Sequence, residues 1–281
     1  MLSAEVHEQL GVASVSGKPL FLYGPPGNGK TAICQRFGGI WEDDILVPYA
    51  LFVDGQVIQV FDEITHVPSE VAASEGERGD RRWVRCRRPV VTVGGELTLD
   101  MLDLAYKPTL KYFEAPLQLK ANNGVFIVDD FGRQRLPAQE LLNRWIIPLE
   151  NHQDFLRLRT GQKFPIPFDQ FIIFATNLEP HTLMDDPFLR RLRSKVKMDY
   201  VTRTQFVDIF RLYCDQYHLE FDPEAVEYLL GRYYDDGQRP LTACHPRDLL
   251  EQILDYSRFY QLAPRLTTEN LDRACHNYFI A

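Results

Sequence analysis

Eight consecutive residues restrict the fold of this chain more than any other feature. They are Gly24, Pro25, Pro26, Gly27, Asn28, Gly29, Lys30 and Thr31. The run fits the pattern G-x-x-x-x-G-K-[ST], with an apolar strand pattern before it and a helical pattern after it. Its glycines allow successive amide N–H groups to point at phosphates, and the helix N-terminus adds a dipole that favours negative charge. The run therefore predicts a phosphate-binding loop. Lys30 is expected to reach the β and γ phosphates of a nucleoside triphosphate, and Thr31 to ligate Mg²⁺.

A magnesium site of this kind needs a second protein ligand, which is usually an aspartate at the end of a neighbouring strand. The apolar run Val125–Val128 ends in Asp129 and Asp130. Asp129 is the predicted metal ligand, and Asp130 is predicted to orient or deprotonate the attacking water. Asn177 follows the apolar run Phe171–Thr176, where open α/β sheets place their ligands, and it is predicted to bind the attacking water or the γ-phosphate. Its alternative role is that of an ordinary turn residue.

The rhythm of apolar runs predicts the fold class. Up to about residue 200 the runs alternate with helical patterns, which is typical of βαβ units around a parallel sheet. Four helical patterns then follow, at 204–217, 223–234, 246–260 and 268–279. We therefore predict an α/β fold with a parallel-sheet nucleotide-binding core over residues 1–200 and a small all-helical lid domain over residues 201–281. Strands are predicted at 19–24, 47–53, 57–61, 125–129 and 171–176, and earlier helices at 29–37, 137–149 and 187–193.

Composition excludes several other classes of protein. The chain has 281 residues, of which 45% are hydrophobic and 25% charged, so it is neither disordered nor fibrous. No apolar run is long enough for a membrane span and the start is too polar for a secretory signal, so a cytoplasmic location is expected. The spacing of the five cysteines and seven histidines suggests neither disulfides nor a structural metal. The net charge of −8 argues against a nucleic-acid footprint over the whole surface.

Five motifs occur in the order GPPGNGKT, VFIVDD, FIIFATN, LRRLRSK and HPRDLL, and together they resemble those of the AAA+ ATPases. The resemblance extends from about Leu20 to about Ser257. It implies that the motifs are Walker A, Walker B, sensor 1, the arginine finger and sensor 2, and that the chain binds ATP or ADP with Mg²⁺ and hydrolyses ATP. The helix LLNRWIIPLE and the predicted hairpin FLRLRTGQKFPIP are most similar to those of the MoxR-type branch.

The resemblance also implies roles for arginines. Arg191, with Arg190 and Arg193 as near substitutes, matches the arginine finger that one subunit inserts into the site of the next, so it implies a homo-oligomer, with a hexameric ring expected. Arg247 matches sensor 2 and would bind the γ-phosphate in its own subunit. Each arginine has an alternative role as a surface residue paired with nearby acids, which are Asp185, Asp186 and Asp248.

One position departs from the family pattern, since Asp130 stands where the family usually has glutamate. Its carboxylate is one methylene shorter, and a displacement of about 1 Å can lower a rate about 10²-fold. Slow hydrolysis, or a switch that mainly binds ATP, is therefore an alternative to fast turnover.

The least standard stretch is Pro68–Pro89, which contains Trp83 among six arginines. These are Arg78, Arg81, Arg82, Arg85, Arg87 and Arg88. The segment is either a surface that contacts an acidic partner or nucleic acid, or a solvated loop with ion pairs to Glu75, Glu77 and Asp80. A second apolar cluster, Phe113–Leu117, is either core or a pore lining, with core the preferred interpretation.

Three functions agree with these features. The preferred one is a ring-forming, chaperone-like motor that hydrolyses ATP to remodel an unidentified protein partner or adaptor-bound substrate. The second is a nucleotide-gated assembly switch or DNA-acting loader that uses the Arg78–Arg88 segment. The third is a small-molecule P-loop kinase, which would need neither Arg191 from a neighbour nor the Arg247 lid.

Overall fold

A computed structural model of the chain describes residues 3–69 and 80–279, with the backbone alone for residues 186, 187 and 191. The chain packs as two compact units. We call residues 5–23 and 30–197 the sheet unit. We call residues 3–4, 24–29 and 198–279 the helical unit.

The strands and helices follow one another as a βαβ pattern with β-rich insertions. The strands are β1 (Leu20–Tyr23), β2 (Asp44–Pro48), β3 (Ala50–Val53), β4 (Gln56–Gln59), β5 (Trp83–Arg87), β6 (Val90–Val93), β7 (Ala105–Lys107), β8 (Tyr112–Glu114), β9 (Val125–Val128), β10 (Gln153–Arg157), β11 (Lys163–Pro167), β12 (Phe171–Thr176) and β13 (Ser194–Lys197). The α-helices are α1 (Ala4–Ser16), α2 (Lys30–Phe37), α3 (Leu117–Lys120), α4 (Ala138–Asn151), α5 (Pro180–Leu183), α6 (Asp186–Arg191), α7 (Arg203–Gln216), α8 (Pro223–Leu229), α9 (His245–Phe259) and α10 (Thr268–Tyr278).

Five parallel strands form the central sheet of the sheet unit, in the order β13-β1-β12-β9-β6. Strands β9 and β12 are buried at every position, as expected for central strands covered on both faces. The predicted α/β fold with a parallel sheet is therefore confirmed. The edge strands β6 and β13 were not predicted from the sequence, because they are short and half exposed.

Aromatic side chains fill the space between the sheet and α4. Trp145 is fully buried and meets Phe126 edge to face, with ring centroids 5.1 Å apart. Leu141, Leu142 and Trp145 are buried on α4 at helical spacing, so one stripe of the helix covers the sheet. This packing fixes β9, and therefore the acidic residues that follow it.

The predicted strands 47–53 and 57–61 lie outside the central sheet. The first is divided between two strands, since β2 ends at Pro48 and β3 begins at Ala50 after a bend at Tyr49. Strands β3 and β4 form a hairpin whose turn residues Asp54 and Gly55 have φ of 46° and 77°, as tight hairpin turns require. This hairpin belongs to a four-stranded sheet in the order β3-β4-β8-β7. The predicted hairpin before β12 is present as β10 and β11.

Four helices make up most of the helical unit, close to their predicted ranges. Thr202 and Gln205 form a capping box at the start of α7, and the Asp222 side chain accepts N–H groups at the start of α8. A π-helical segment, Leu230–Asp235, follows α8. The helical C-terminal region is therefore confirmed, and the division of the chain into domains at residue 200 stays a prediction. Within the described ranges, no helix is both long and apolar enough to cross a bilayer.

Candidate nucleotide site

The carboxyl ends of β1, β12 and β9 lie side by side, because these strands are parallel neighbours in the central sheet. Four of the predicted site residues meet in two pairs at this edge. The Thr31 hydroxyl, in the first turn of α2, donates to Asp129 Oδ2 at 2.8 Å, across 98 positions of sequence. Asn177 Nδ2 donates to Asp130 Oδ1 at 3.4 Å. The structure thus brings together residues from three separate motifs.

The backbone around the two acids is held by both neighbouring strands. The Asp129 N–H donates to Val93 O and the Phe131 N–H to Ala175 O, both at 2.8 Å. Between them Asp130 adopts a left-handed conformation with φ of 49°, which aspartate tolerates better than most residues. The Asp130 N–H donates to Asp129 Oδ1 at 3.0 Å. The turn therefore sends the two carboxylates towards different partners, Thr31 and Asn177.

Lys30 carries the positive charge of this edge. Its side chain is only 7% exposed. Burial lowers its pKa below the ordinary value of 10.5, and the charges of Asp129 and Asp130 act in the opposite direction. Thr31 and Asp130 are exposed, so a ligand has access to the edge from solvent.

The Thr31 and Asp129 oxygens suit a magnesium ion. Mg²⁺ takes oxygen ligands at about 2.0–2.1 Å in an octahedron, where adjacent ligands are about 3 Å apart. The observed separation of 2.8 Å between Thr31 Oγ1 and Asp129 Oδ2 matches that spacing. These two residues fit the ion, and the phosphates of a nucleotide would supply further oxygens.

The glycines of the loop, which belong to the helical unit, have the backbone angles that a phosphate cradle needs. Gly24, Gly27 and Gly29 have φ of 130°, 77° and 81°, which are accessible mainly to glycine. A Cβ at Gly27 would lie 2.6 Å from Thr242 Cγ2 and 2.7 Å from Cys244 Sγ. Close packing therefore adds a second reason for glycine at position 27.

Two hydrogen bonds join the loop to the segment before α9. The Cys244 N–H donates to Gly27 O at 2.9 Å, and the Ala243 N–H donates to Asn28 Oδ1 at 3.1 Å. Sequence reasoning missed this segment, since Thr242–Cys244 belongs to no motif and contacts the loop across 215 positions. The only signal was its place directly before the predicted helix start at His245-Pro246.

Arg247 lies in the first turn of α9, where it pairs with acids. Its Nε and Nη2 donate to Asp248 Oδ1 at 2.9 and 2.7 Å, and these hydrogen bonds raise its pKa. Tyr278 Oη donates to the other Asp248 oxygen at 2.7 Å. The predicted alternative, an ion pair with Asp248, is thus present in this state. The sensor 2 role of Arg247 stays a prediction.

The predicted arginine finger lies in α6, whose N-cap Asp185 accepts the N–H of Phe188. The side chain of Arg191 lies outside the described residues. Arg190 and Arg193 are both exposed. Helix α6 leads directly into β13, an edge strand of the central sheet.

The Phe113–Leu117 cluster is part of the core rather than a pore lining, since Phe113 and Ala115 are buried. In the basic segment, Arg82 pairs with Asp80, as one of the two interpretations predicted. The other predicted partners Glu75 and Glu77, and Arg78 itself, lie outside the described residues.

Comparisons with known proteins support the fold at low identity. A family model described as a domain of unknown function, DUF8689, matches residues 202–277. No curated protein matches the chain. NtrX from Brucella abortus in complex with ATP aligns with a TM-score of 0.60 and 13% identity over 98% of this chain and 57% of that one. A lysine-to-arginine mutant of RuvB from Thermotoga maritima aligns with a TM-score of 0.58 and 15% identity over 99% of this chain and 70% of that one.

The chain thus spans a little over half the length of the NtrX structures. At these identities the likeness concerns the fold alone. The features that agree with this likeness are the five-stranded parallel sheet and the helical C-terminal region of the chain.

Proposed function

We propose that this protein binds ATP with Mg²⁺ at Gly24–Thr31 and hydrolyses it. One observation carries the proposal: Thr31 bonds to Asp129 at 2.8 Å, beside the Asp130–Asn177 pair, at the carboxyl edge of a parallel sheet. A strand exit alone would not explain why a hydroxyl and an amide from two other elements converge on the two carboxylates. The shared fold with NtrX, which was solved in complex with ATP and with ADP, supports nucleotide binding at this site.

Each residue has a role that follows from its chemistry. The loop N–H groups and Lys30 bind and orient the phosphates. Thr31 and Asp129 would hold Mg²⁺, which when bound neutralises charge on the phosphates. Asp130 accepts the proton of the attacking water, and Asn177 orients that water and the Asp130 carboxylate. Arg247 exchanges its pairing with Asp248 for the γ-phosphate when ATP binds.

We further propose that the chain acts as a ring, with a hexamer expected, that remodels a protein partner. Arg191, or Arg190 beside it, would reach the nucleotide of the neighbouring subunit and stabilise charge on the transferred phosphoryl group. Support comes from the motif order and from the position of α6 beside an edge strand of the sheet. A small-molecule kinase would have no need of this arrangement.

The test is the dependence of ATP turnover on protein concentration. Turnover per chain should rise as the ring assembles, and Arg191→Ala should lower the assembled rate about 10³-fold while leaving ATP binding intact. Arg258→Ala, which removes an exposed arginine on α9, is the matched control and should change nothing. A rate per chain that is constant over concentration, and equal in Arg191→Ala, would rule out a shared site.

A nucleotide-gated switch is a second candidate, favoured by the conformation of Asp130. The backbone of Asp130 is in the left-handed conformation, and its short side chain accepts a hydrogen bond from Asn177. If reach limits the rate, Asp130→Glu should speed turnover, whereas Asp130→Asn should bind ATP without turnover.

The Asp130→Asn protein also serves as bait with ATP present. A motor should retain its protein partner in this state. Recovery of its own subunits alone would favour the switch.

A further inference from the structure

Trp83–Arg87, in the described part of the Arg-rich segment, is a strand of a two-stranded ribbon rather than a loop. Strands β2 and β5 pair antiparallel, with Pro48 opposite Trp83 and Asp44 opposite Arg87. Residues 67–69 extend the ribbon on its other side, where the Ser69 N–H donates to Arg85 O at 3.0 Å. We call β2, β5 and the turn residues Arg81 and Arg82 the basic ribbon.

Strand alternation gives the basic ribbon two different faces. Val47 and Cys86 are buried in an apolar cluster with Ile58 and Phe113. Trp83, Arg85 and Arg87 point the other way and are exposed, with 44% of Trp83 accessible. Successive members of this outer row are about 6.6 Å apart, because each step spans two residues of a strand. The buried face thus anchors an outer row of one indole and two guanidinium groups.

The arginines differ in whether an acid already pairs with them. Arg82 pairs with Asp80, and Arg88 donates to both Asp43 oxygens. Within residues 3–69 and 80–279, no ion pair reaches Arg81, Arg85 or Arg87.

Among the described residues, one further acid lies beside this face without pairing with it. Asp44 lies opposite Arg87 in the strand register, yet it makes no salt bridge with it. The chain has 39 acidic residues against 31 basic ones, so arginines that pair with no acid of the described ranges do not reflect a general excess of basic residues. They form a local positive face on an acidic protein.

We infer that the basic ribbon binds single-stranded nucleic acid. Arg81, Arg85 and Arg87 would bind successive phosphates, and the exposed face of Trp83 would stack on a base. Stacking requires an unpaired base, which is why a single strand fits better than a duplex. An acidic protein would satisfy the arginines but give no role to the indole. The inference goes beyond the proposed ATPase function and does not depend on it.

The direct test is fluorescence anisotropy of a labelled oligo-dT 20-mer titrated with the whole protein. Three phosphate contacts predict a log–log salt slope of about −2, so binding should weaken about 20-fold between 50 and 200 mM salt. Trp83→Ala should weaken binding about 10-fold at constant slope. Arg85→Gln with Arg87→Gln should reduce the slope to about −0.7.

The β10–β11 ribbon offers a matched control, because Phe155 and Arg157 are exposed there with the same two-residue spacing. Arg157→Gln should leave oligo-dT affinity unchanged. Equal losses from Arg157→Gln and Arg85→Gln would show non-specific attraction and overturn the inference, as would equally tight binding of duplex DNA. Displacement of oligo-dT by polyglutamate at equal charge concentration would instead identify an acidic protein ligand and also overturn it.

Lys30→Ala separates the two proposals. It should lose ATP binding and keep oligo-dT binding, since Lys30 is not part of the basic ribbon. Thermal melts of every variant show whether a loss of binding reflects a loss of folding.

Discussion

The carboxyl edge of the central sheet and the basic ribbon differ in whether their charged side chains have polar partners. At the edge, residues of three motifs form hydrogen bonds with one another. Thr31 donates to Asp129 and Asn177 to Asp130, and Lys30 beside Thr31 is buried. On the ribbon, Arg85 and Arg87 are exposed and meet no acid among the described residues. Polar groups joined to each other define a shaped site for one small ligand, whereas cations held apart along a strand suit an extended polyanion.

The physical cause of the difference is the topology of the strands. Parallel neighbours end at one edge, so polar residues that follow different strands converge there. In an antiparallel ribbon with one buried face, alternate side chains all point outward in a line and cannot converge. Charged residues therefore form two kinds of surface, depending on how the strands that carry them are arranged.

The largest expected effect separates the two regions completely. Lys30→Ala should abolish ATP binding, a loss of at least about 1,000-fold or ~4 kcal/mol, because the phosphates lose their buried cation. Isothermal titration with ATP and Mg²⁺ measures it. Arg85→Gln should bind ATP as the unchanged protein does. ATP affinity that falls equally in both variants would break the comparison.

A second prediction concerns cations that are joined to acids and cations that are free. Lys120 is 5% exposed and donates to Asp62 Oδ2 and Glu114 Oε1, each at 2.7 Å. Lys120→Met should lower the free energy of unfolding by about 3 kcal/mol, because Asp62 loses its lysine partner and Glu114 keeps only Lys107. Arg85→Gln should stay within about 0.5 kcal/mol. Urea unfolding measures the free energy of unfolding of both variants. Equal decreases would contradict the distinction between paired and unpaired cations.

The Lys120 network also predicts a direction with pH. Hydrogen bonds from Lys120 and Lys107 lower the pKa of Glu114 below its ordinary 4.5. A depressed folded-state pKa contributes stability that is complete above the unfolded value and is lost as the pH falls through the folded value. The difference in unfolding free energy between unchanged protein and Lys120→Met should therefore shrink below pH 4.5. A difference that grows with acid would show that the carboxylates are not the cause.

The smallest expected effect lies within the edge itself. The Asn177–Asp130 hydrogen bond is long, at 3.4 Å. Removing it should therefore affect the ATPase less than removing the Lys30 side chain does. Asn177→Ala should lower ATP turnover about 10-fold with little change in ATP affinity, since Asn177 positions Asp130 rather than the phosphates. Asn177→Ser retains a polar group, so its ATP turnover should lie between that of the unchanged protein and that of Asn177→Ala. A loss of ATP affinity instead would assign Asn177 to binding.

Much of this protein could be predicted from local sequence. The phosphate loop, the buried strands at 125–128 and 171–176, and the four C-terminal helices have strong local signals, such as the Thr202–Gln205 capping box. The edge strand Ser194–Lys197 could not be predicted, because a four-residue strand with a single buried side chain, Val196, carries too little pattern. The pairing of β2 with β5 could not be predicted either, because their partners are about 40 residues apart and share no turn.

The sequence by itself determined the chemistry available to this protein: a glycine loop with lysine and threonine, two aspartates after one strand and an asparagine after another. It determined which groups carry charge, but not which of them meet. Only the tertiary structure decided that Lys120 is enclosed by Asp62 and Glu114, and that Arg85 and Arg87 stay unpaired among the described residues. The packing of strands and helices brings distant residues within hydrogen-bond range, and no local pattern encodes the Lys120–Asp62 contact across 58 positions.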